Sequence, residues 1–359
     1  MNYAVIIAGG SGTRLWPMST RQRPKQLLRF IDGRSLLEIA VGRLEGLVPH
    51  KRTYICTSAS YGDQVAEALA HIPAENILGE PMGRDTANAV GFAAAILAKT
   101  DPDATMAVLT ADHIIEPQAA FQTCMQQAFE AVARSPQTLV TFGIKPTHPA
   151  TGYGYVHAGE PLAGLANARR ALAFKEKPTQ EVAHQYIASG EYYWNSGMFV
   201  WKAATILAEL KRNLPASYDG LMRISAAWST PHYAGVLAEV YPTLQKISID
   251  YAVMERAKNV AVIPMEVNWL DVGSWTSFAA TLAADAVGNK SSGCTFASLE
   301  SSGVLAVSED SEHLIATIGL KDVTIIHTPG ATLVCASDKA EQIKQMVGHL
   351  QQRGDDRYT

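Results

Sequence analysis

The stretch that most constrains the fold lies at the start of the chain, where an apolar run leads directly into a glycine-rich turn. Residues 3–7 are apolar and predict a buried strand, and Gly9, Gly10 and Gly12 follow within four positions. Such a backbone turns tightly and lets a ligand approach closely. Its successive N–H groups form a concave anion site. A simple connecting turn would explain the glycines equally well.

The glycine spacing excludes two common nucleotide motifs. It does not fit G-x-G-x-x-G, because Leu15 stands where the last glycine should be, and no Lys-Ser/Thr pair follows to complete G-x-x-x-x-G-K-[ST]. A dehydrogenase is therefore disfavoured. Arg14 and Lys25 add positive charge beside the turn, which favours an anionic ligand.

The bulk properties indicate an ordinary globular protein. A chain of 359 residues suits one large or two unequal domains. The net charge of −4 gives no reason to expect a nucleic-acid partner. There is no charged segment before the first apolar run, and no run approaches the ~18 apolar residues of a membrane span. The four cysteines are far apart, which favours reduced thiols. We expect a soluble, cytoplasmic protein without a membrane partner.

Strand-like and helix-like segments alternate through the first 140 residues. Strands are expected near 53–57, 76–79, 106–109 and 138–142, with helices at 35–47, 61–71, 85–99 and 118–134. Ser35 and Glu38 have the form of a capping box. This alternation predicts a mainly parallel sheet with helices on both faces and a ligand crevice at the strand ends. Further strands are expected at 171–176, 198–201, 260–264 and 267–270, with helices at 202–257 and 274–284.

The composition changes near Gly288, after which short apolar runs recur about every ten residues. These runs lie at 294–297, 304–307, 314–318, 323–326 and 332–335, a spacing typical of small all-β units. A sandwich, a roll and a solenoid all remain open on this evidence. The last element, 338–351, is an amphipathic helix with Asp338 and Glu341 as its expected cap pair.

Two carboxylates stand where apolar strands end. Asp112 follows the strand at 106–109, and Asp271 lies within Trp-Leu-Asp-Val-Gly-Ser-Trp just before a helix. A carboxylate there costs desolvation energy unless it is paired or binds a cation. Helix capping is at least as good a local explanation for Asp112. If the two converge, they suit Mg²⁺, which takes a couple of carboxylates together with water and substrate phosphates.

Seven stretches, in order along residues 3–275, resemble the sugar-nucleotide pyrophosphorylases, and specifically the mannose-1-phosphate guanylyltransferases. The signature 8–26, with Trp16-Pro17 and Pro24-Lys25-Gln26, carries most of the resemblance. The other six are Glu-Pro-Met-Gly-Arg, Thr-Ala-Asp-His, the Gly152 loop, Phe-Lys-Glu-Lys-Pro, Trp-Asn-Ser-Gly and Trp-Leu-Asp-Val-Gly-Ser-Trp. Residues 246–255 also match, as a mostly structural segment outside these seven. The resemblance implies a Rossmann-like (GT-A-like) mixed sheet flanked by helices over 1–287. It also implies a small left-handed β-helix-like domain over 288–359, without the isomerase domain or isomerase activity of bifunctional relatives.

The resemblance also implies a nucleotide site. Glu80 would accept both the N1–H and the amino group of guanine through one carboxylate, a donor pair that adenine lacks. Members more often carry Asn at position 85 and Pro at position 88, so the detailed base contacts stay open. Helix capping is the simpler explanation for positions 85 and 86. The expected nucleotide-binding residues are Ala8, Gly9, Gly10, Ser11, Gly12, Thr13, Glu80, Gly83, Arg84, Asp85 and Thr86.

The resemblance also implies a sugar-phosphate site and two positively charged catalytic side chains. Arg14 would stabilise charge at the α- and leaving phosphates, Lys25 and Lys177 would hold the sugar phosphate, and Asp112 and Asp271 would bind Mg²⁺. Each sugar-site motif also has a purely structural explanation. The Gly152 loop would then be a simple turn, Glu176 and Lys177 a surface salt bridge, and Asn195 a buried turn asparagine. The expected sugar-phosphate-binding residues are Gly152, Tyr153, Gly154, Glu176, Lys177, Asn195 and Gly197.

The activity that the resemblance implies converts GTP and mannose 1-phosphate into GDP-mannose and diphosphate. The sugar phosphate attacks the α-phosphorus in line, with Mg²⁺ as cofactor and a homo-oligomer, a dimer, as the working state. Two alternatives stay open. One is a nucleotidyltransferase acting on another sugar phosphate, such as glucose or heptose phosphate, and the other is a non-catalytic subunit that senses sugar nucleotides.

Overall fold

The computed structural model describes residues 1–10, 12–31, 33–165 and 167–359. The chain forms two compact units, each assembled from separate segments. The first comprises Met1–Gly9, Ala40–Ala111 and Ile115–Trp269, and the second Gly10–Ile39, Asp112–Ile114 and Leu270–Thr359.

The strands, in chain order, are β1 (Asn2–Ala8), β2 (Arg29–Ile31), β3 (Arg34–Ser35), β4 (Thr53–Ser58), β5 (Ile77–Glu80), β6 (Thr105–Thr110), β7 (His113–Glu116), β8 (Leu139–Ile144), β9 (Tyr155–Pro161), β10 (Arg169–Lys175), β11 (Tyr192–Lys202), β12 (Val260–Met265), β13 (Asn268–Asp271), β14 (Lys290–Ser292), β15 (Thr295–Leu299), β16 (Leu305–Ser308), β17 (Leu314–Ile318), β18 (Val323–His327) and β19 (Thr332–Ala336). The α-helices are α1 (Leu36–Gly42), α2 (Gly62–Ala68), α3 (Thr86–Thr100), α4 (Gln118–Arg134), α5 (Gln180–Ser189), α6 (Ala203–Asn213), α7 (Pro215–Ala227), α8 (Tyr233–Val240), α9 (Trp275–Ala279) and α10 (Ile343–Gln352).

The first unit is built on a nine-stranded sheet in the order β5-β4-β1-β6-β11-β8-β12-β10-β9. The first four strands of that order are parallel, as the alternation of strands and helices predicts. In the other half β8 and β12 also pair in parallel, whereas β11 runs antiparallel to β6 and β8, and β10 runs antiparallel to β12 and β9. The sheet is therefore mixed. Its core includes the alanine-rich helix α3, whose residues 87–97 are all buried.

The second unit ends in a β-rich region with the pairings of a solenoid. β14, β16 and β18 pair in parallel in that order, and β15 pairs in parallel with β17, so equivalent strands of successive turns stack on one another. β19 is antiparallel to β18 and closes the stack. Among the three architectures that the strand spacing left open, these pairings favour a β-helix. Its handedness stays a prediction.

The boundary of the second unit differs from the predicted division at 287/288. Leu15 and Trp16 from the N-terminal signature share one apolar core with Trp275 and Phe278 and with strands of the β-rich region. The indole of Trp275 also donates to the carbonyl of Trp16 at 3.0 Å. Residues 10–39 and 270–287 therefore belong to this unit by packing, because its apolar surface is completed by side chains from distant parts of the chain.

Element limits differ from prediction mainly where a short segment lacks periodicity. The sequence does not predict β2, β3, β7 and β14, because each has four residues or fewer. It does not predict β9 either, because that strand adjoins a stretch rich in Gly and Pro. The first helix ends at Gly42 rather than Leu47, and a turn with Gly46 at φ 78° follows. The final segment begins with a 3₁₀ turn, Ser337–Gln342, and no side chain caps it, so the expected cap pair is wrong. Within the described residues, no helix has both the length and the hydrophobicity needed to cross a membrane.

Candidate active site

The glycine turn is exposed at Gly9 and Gly10, and Gly12 places a lysine against it. Among the described residues, no atom lies within 4 Å of where a Cβ on Gly9 or Gly10 would be, so there is room for a ligand beside the turn. Gly12 has φ 59°, in the left-handed region that favours glycine. A Cβ on it would lie 2.6 Å from the Cβ of Lys25, so only glycine lets the lysine stem pack against the turn. Ser11, a predicted nucleotide ligand, lies outside the described residues.

Lys25, Asp112, His113 and Asp271 form one cluster in the second unit. The Nζ of Lys25 lies 2.5 Å from Oδ2 of Asp112, and the lysine side chain is only 11% exposed. Ligand atoms of Asp112, His113 and Asp271 all lie within 4.8 Å of one another. The backbone N–H of Val272 donates to the carbonyl of Asp112 at 3.0 Å, which joins the two chain segments beside the carboxylates. The two aspartates predicted to converge are thus neighbours.

The two carboxylates differ in their protonation preferences. Burial acts to raise the pKa of Asp112, but the charges of Lys25 and His113 and the hydrogen bond from Lys25 together hold it below its usual value. Burial raises the pKa of Asp271, and the Asp112 charge adds to this, while His113, Lys25 and Arg14 oppose it. A cation bound between them would favour the ionised form of both.

Arg14, a predicted catalytic residue, faces a carboxylate in this structure. Its Nε lies 2.9 Å from Oε2 of Glu341, and its side chain is 52% exposed. Exposed ion pairs of this kind contribute little free energy of folding, so the guanidinium can exchange Glu341 for another anion at small cost. A role toward phosphate stays a prediction for Arg14.

Glu80, the predicted base-reading residue, lies in the first unit at the end of β5. It is 6% exposed, and the hydroxyl of Tyr241 donates to its Oε1. Burial raises the pKa of Glu80 to about 7, Tyr241 opposes the rise, and Asp85 adds to it. Burial and the Glu80 carboxylate also raise the pKa of Tyr241, so the phenol keeps its proton and donates.

The segment after Glu80 is fixed by contacts with residues 242–249. The Nδ2 of Asn88 donates to the carbonyls of Arg84 (2.8 Å) and Gln245 (2.7 Å). The hydroxyl of Thr86 accepts from the N–H of Ile249 at 2.9 Å, and Arg84 donates to the carbonyl of Pro242. Asp85 caps α3 by accepting from the N–H of Thr86. The amide at position 88 therefore holds the loop in place of the more usual proline, while Gly83 stays exposed.

The predicted sugar-site motifs meet around Gly154, also in the first unit. A Cβ on Gly154 would lie 2.4 Å from Oε2 of Glu176 and 3.4 Å from the Cβ of Asn195, so a larger residue would displace the Glu176 carboxylate. The backbone N–H of Asn195 donates to the carbonyl of Gly154 at 2.8 Å. Gly197 has φ 70° and donates its N–H to Oδ1 of Asn195 at 3.2 Å. These contacts unite three separate motifs.

Other members of the predicted sugar set have different environments. The Nζ of Lys177 lies 2.5 Å from Oε1 of Glu176, and Lys177 has φ 45°, an unusual backbone angle for a non-glycine residue. Tyr153 packs edge-on against Trp194 and Trp269, with ring centroids 5.2 and 5.0 Å away. Gly152 is exposed, with open space at its Cβ position.

Comparison with known proteins places the chain in a family. The nucleotidyl transferase family model matches residues 3–287, and the MannoseP isomerase/GMP-like beta-helix domain matches 296–350. The mannose-1-phosphate guanylyltransferase of Escherichia coli K12 is 38% identical over 98% of this chain and 74% of its own length. The enzyme of that name from Klebsiella pneumoniae is 37% identical over 99% of this chain and 75% of its own length. The chain belongs to the mannose-1-phosphate guanylyltransferase family.

A solved structure supports the family assignment over both units. A protein of Thermus thermophilus, described as a mannose-1-phosphate geranyltransferase, has a TM-score of 0.87 and 34% identity. The match covers 98% of this chain and 99% of the other. The fold expectation of a nucleotidyltransferase domain with a C-terminal β-helix-like domain is thereby confirmed.

Three residues near the predicted guanylyltransferase site were not among its predicted members. His113 was visible in Thr-Ala-Asp-His, beside the predicted ligand Asp112. Asp250 lies in the segment 246–255 that the sequence predicts to be mostly structural, yet its Oδ1 accepts from Nδ2 of Asn195 at 3.0 Å. Tyr241 carried no sequence signal, because its contact with Glu80 spans 161 positions.

Proposed function

We propose that this enzyme transfers a guanylyl group from GTP to α-D-mannose 1-phosphate, giving GDP-mannose and diphosphate. The single observation that carries the proposal is the cluster of Lys25, Asp112, His113 and Asp271 in the unit that begins at Gly10. It combines the Lys25 ammonium group with two carboxylates beside a glycine turn. This arrangement suits a nucleoside triphosphate and its metal ion. The relatives' names support guanine and mannose as the two specificities.

The donor set of this cluster fits Mg²⁺ through its two carboxylates. Asp112 and Asp271 are hard oxygen ligands, and substrate phosphates and water supply the remaining ligands that Mg²⁺ prefers. His113 suits a softer metal better, so we assign it the role of a neighbour that stabilises the carboxylates. When bound, the ion would withdraw charge from the reacting phosphate and orient the leaving group.

The protein's own groups then act by positioning and charge neutralisation. A phosphate oxygen of the sugar phosphate forms a bond to the α-phosphorus, and the bond from that phosphorus to the bridging β-oxygen breaks. Diphosphate departs with the electron pair, so the enzyme needs no nucleophile of its own. The backbone of the glycine turn would bind phosphate oxygens, and Lys25 would neutralise the attacking phosphate. Arg14 would exchange Glu341 for the departing diphosphate.

A substrate panel tests the reaction. Purified enzyme is incubated with Mg²⁺ and mannose 1-phosphate and with GTP, UTP or dTTP in turn, and diphosphate release and the sugar nucleotide are measured. The fastest turnover is expected with GTP. Replacing mannose 1-phosphate by glucose 1-phosphate or a heptose phosphate decides between sugars. Absence of diphosphate release with every pair would contradict the proposal and favour the sensing subunit.

Glu80→Gln is expected to weaken the preference for GTP over UTP by about 10- to 100-fold, as the loss of a charged acceptor for two donors implies. Because burial raises the pKa of Glu80 to about 7, the ionised acceptor forms as pH rises through that value. The KM for GTP in the wild type should therefore fall as pH rises through this pKa, and the variant should lose this dependence. Kinetics with both nucleotides on either side of neutral pH provide the measurement.

The matched control for this experiment is Glu75→Gln, an exposed carboxylate in the same unit. It should keep the nucleotide preference and the pH profile of the wild type. If Glu80→Gln shows the same GTP to UTP ratio as this control, Glu80 does not read the base.

We also propose that the enzyme acts in the cytoplasm, where GTP is available, as a dimer of two identical chains. β15 and β17 expose an apolar face on which Leu299, Leu314 and Ile318 are 59%, 56% and 71% exposed. Parallel register places Leu299 beside Ile318, and Leu314 lies on the same exposed face of β17 as Ile318. Such a surface suits a second copy of the same sheet.

Ile318→Asp is expected to convert the dimer into a monomer, because a charge in an apolar interface loses its hydration without gaining a partner. Light scattering after size-exclusion chromatography measures the mass of each form. Val287→Asp, an equally polar change at another exposed position, should leave the mass of the wild type unchanged. A wild type that is monomeric at micromolar concentration would rule out this interface.

A further inference from the structure

Asp250 lies at the start of a π-helical turn, Asp250–Met254, and fixes the amide of Asn195. The Nδ2 of Asn195 donates to Oδ1 of Asp250 at 3.0 Å. On the other side of the amide, Oδ1 of Asn195 accepts from the hydroxyl of Thr141 at 3.0 Å and from the N–H of Gly197 at 3.2 Å. The amide therefore has one orientation, in which its donor faces Asp250. Single π-turns of this kind are frequent at functional sites.

A second carboxylate, Glu176, faces the same space. Its side chain is 7% exposed, and its Oε1 pairs with Nζ of Lys177 at 2.5 Å. Its Oε2 occupies the space that a Cβ on Gly154 would need. The backbone N–H of Glu176 donates to Oε1 of Glu255 at 3.0 Å, which fixes the main chain at this point. Glu176, which follows β10, and Asp250, at the start of the π-helical turn, thus approach the same space from two sides.

Lys177 supplies an ammonium group to these two acids. Burial and the neighbouring Glu176 charge raise the pKa of Asp250 to about 7, while its backbone hydrogen bond, Lys177 and Asn195 oppose the rise. Lys177 is itself held in its charged form, because Glu176, Tyr251 and Asp250 raise its pKa against the effect of burial. Lys177 thus pairs directly with Glu176 and acts on Asp250 only through its charge, and a ligand rich in hydroxyl groups would supply further donors to both carboxylates.

Local structure alone does not require a carboxylate at position 250. Ser248 already accepts the N–H of Tyr251 at 3.4 Å, so the turn has a capping hydroxyl. A neutral amide at position 250 could also accept from Asn195. A charge kept in a desolvated position next to a like charge is a pattern found at functional sites.

We propose that Asp250 is a specificity-determining residue for the sugar: with Glu176 it accepts hydrogen bonds from hydroxyls of the hexose 1-phosphate, and it orients Asn195 for the same ligand. This inference rests on the proposed nucleotidyl transfer. It assigns Asp250 to the sugar half of the reaction and gives it no part in binding GTP.

The test compares Asp250→Asn with Asp219→Asn, an exposed aspartate on α7, in the protein's full length. In Asp250→Asn the KM for mannose 1-phosphate should rise about tenfold or more, as expected when a charged acceptor is lost, with the KM for GTP unchanged. The ratio of kcat/KM for mannose 1-phosphate to that for glucose 1-phosphate should fall. Binding of mannose 1-phosphate alone, followed by isothermal titration, should weaken by the same factor. Asp219→Asn should match the wild type throughout.

The pH dependence gives a readout that a merely structural role would not change. Glu176 and Lys177 are the charged groups that face Asp250. In the wild type, mannose 1-phosphate binding should weaken as pH falls through the raised pKa of Asp250 and this group takes up a proton. In Asp250→Asn this part of the dependence should disappear. Equal sugar KM values, selectivity and pH profiles in the two proteins would overturn the inference. A wild type inactive on every hexose 1-phosphate would instead refute the proposed function.

Discussion

Asp271→Asn is expected to lower kcat by about three orders of magnitude or more while the protein stays folded. Asp271 and Asp112 are the two hard oxygen ligands of the cluster, and an amide at position 271 removes one of its two negative charges. Stabilisation of developing charge at the reacting phosphate is usually the largest contribution to a reaction that needs no enzyme nucleophile. Initial rates of diphosphate release at saturating GTP and mannose 1-phosphate, with Mg²⁺ varied, provide the measurement.

The thermal stability of Asp271→Asn should stay the same or rise while its kcat falls. This difference separates loss of function from loss of fold. Burial raises the pKa of Asp271, so its ionised form is less favourable in the folded than in the unfolded state. The folded protein therefore loses stability as pH rises through this raised pKa, and a neutral amide removes that loss. The thermal midpoint of Asp271→Asn at mildly alkaline pH should equal or exceed that of the wild type.

Asp103→Asn, an exposed turn residue, serves as the control for both readouts and should resemble the wild type. Titration with Mn²⁺ as a spectroscopic probe adds a measurement independent of turnover, and affinity should fall about tenfold or more in Asp271→Asn. Wild-type rates in this variant, at any Mg²⁺ concentration, would falsify the metal role of Asp271.

The convergence of Asp112 and Asp271 could be predicted because each follows an apolar run that ends at the expected ligand-facing edge. The structure pairs β7 with β13 and joins them beside the aspartates through the N–H of Val272. The same local logic identified α4 at its observed limits and the capping box of Ser35 and Glu38, whose side chains each accept from the other's backbone N–H. Features set by residues within one element or at its end were accessible from the sequence.

Features that depend on contacts between distant segments were not accessible. The pair of Tyr241 and Glu80 and the pair of Asn195 and Asp250 join positions 161 and 55 residues apart, and neither partner has a periodicity that indicates the other. The antiparallel insertion of β11 into the sheet likewise depends on which neighbours bury its apolar face. The second unit is compact because Trp16 and Trp275 pack into one core. No local sequence pattern marks where the segments of this unit begin and end.

Lys25→Met is expected to lower kcat by about 100- to 1000-fold and, at the same time, to strengthen binding of a divalent cation. The turnover loss follows because the cation that would neutralise the attacking phosphate is gone, and preorganised charges of this type contribute on that scale. The affinity gain follows because Nζ of Lys25 lies 2.5 Å from Oδ2 of Asp112 and competes for a ligand oxygen. Removing it also raises the pKa of Asp112, since the Lys25 charge is what holds that pKa down most strongly.

The opposite signs of these two effects make the experiment selective. Single-turnover rates report the first effect, and Mn²⁺ titration in the absence of nucleotide reports the second. Lys51→Met, an exposed lysine, is the matched control and should change neither. A purely structural lysine would lower both turnover and cation affinity together, because the packing of its stem against Gly12 would be disturbed in the same variant. A variant with reduced turnover and reduced Mn²⁺ affinity would therefore contradict the assignment of Lys25 as a phosphate ligand that shares Asp112 with the metal.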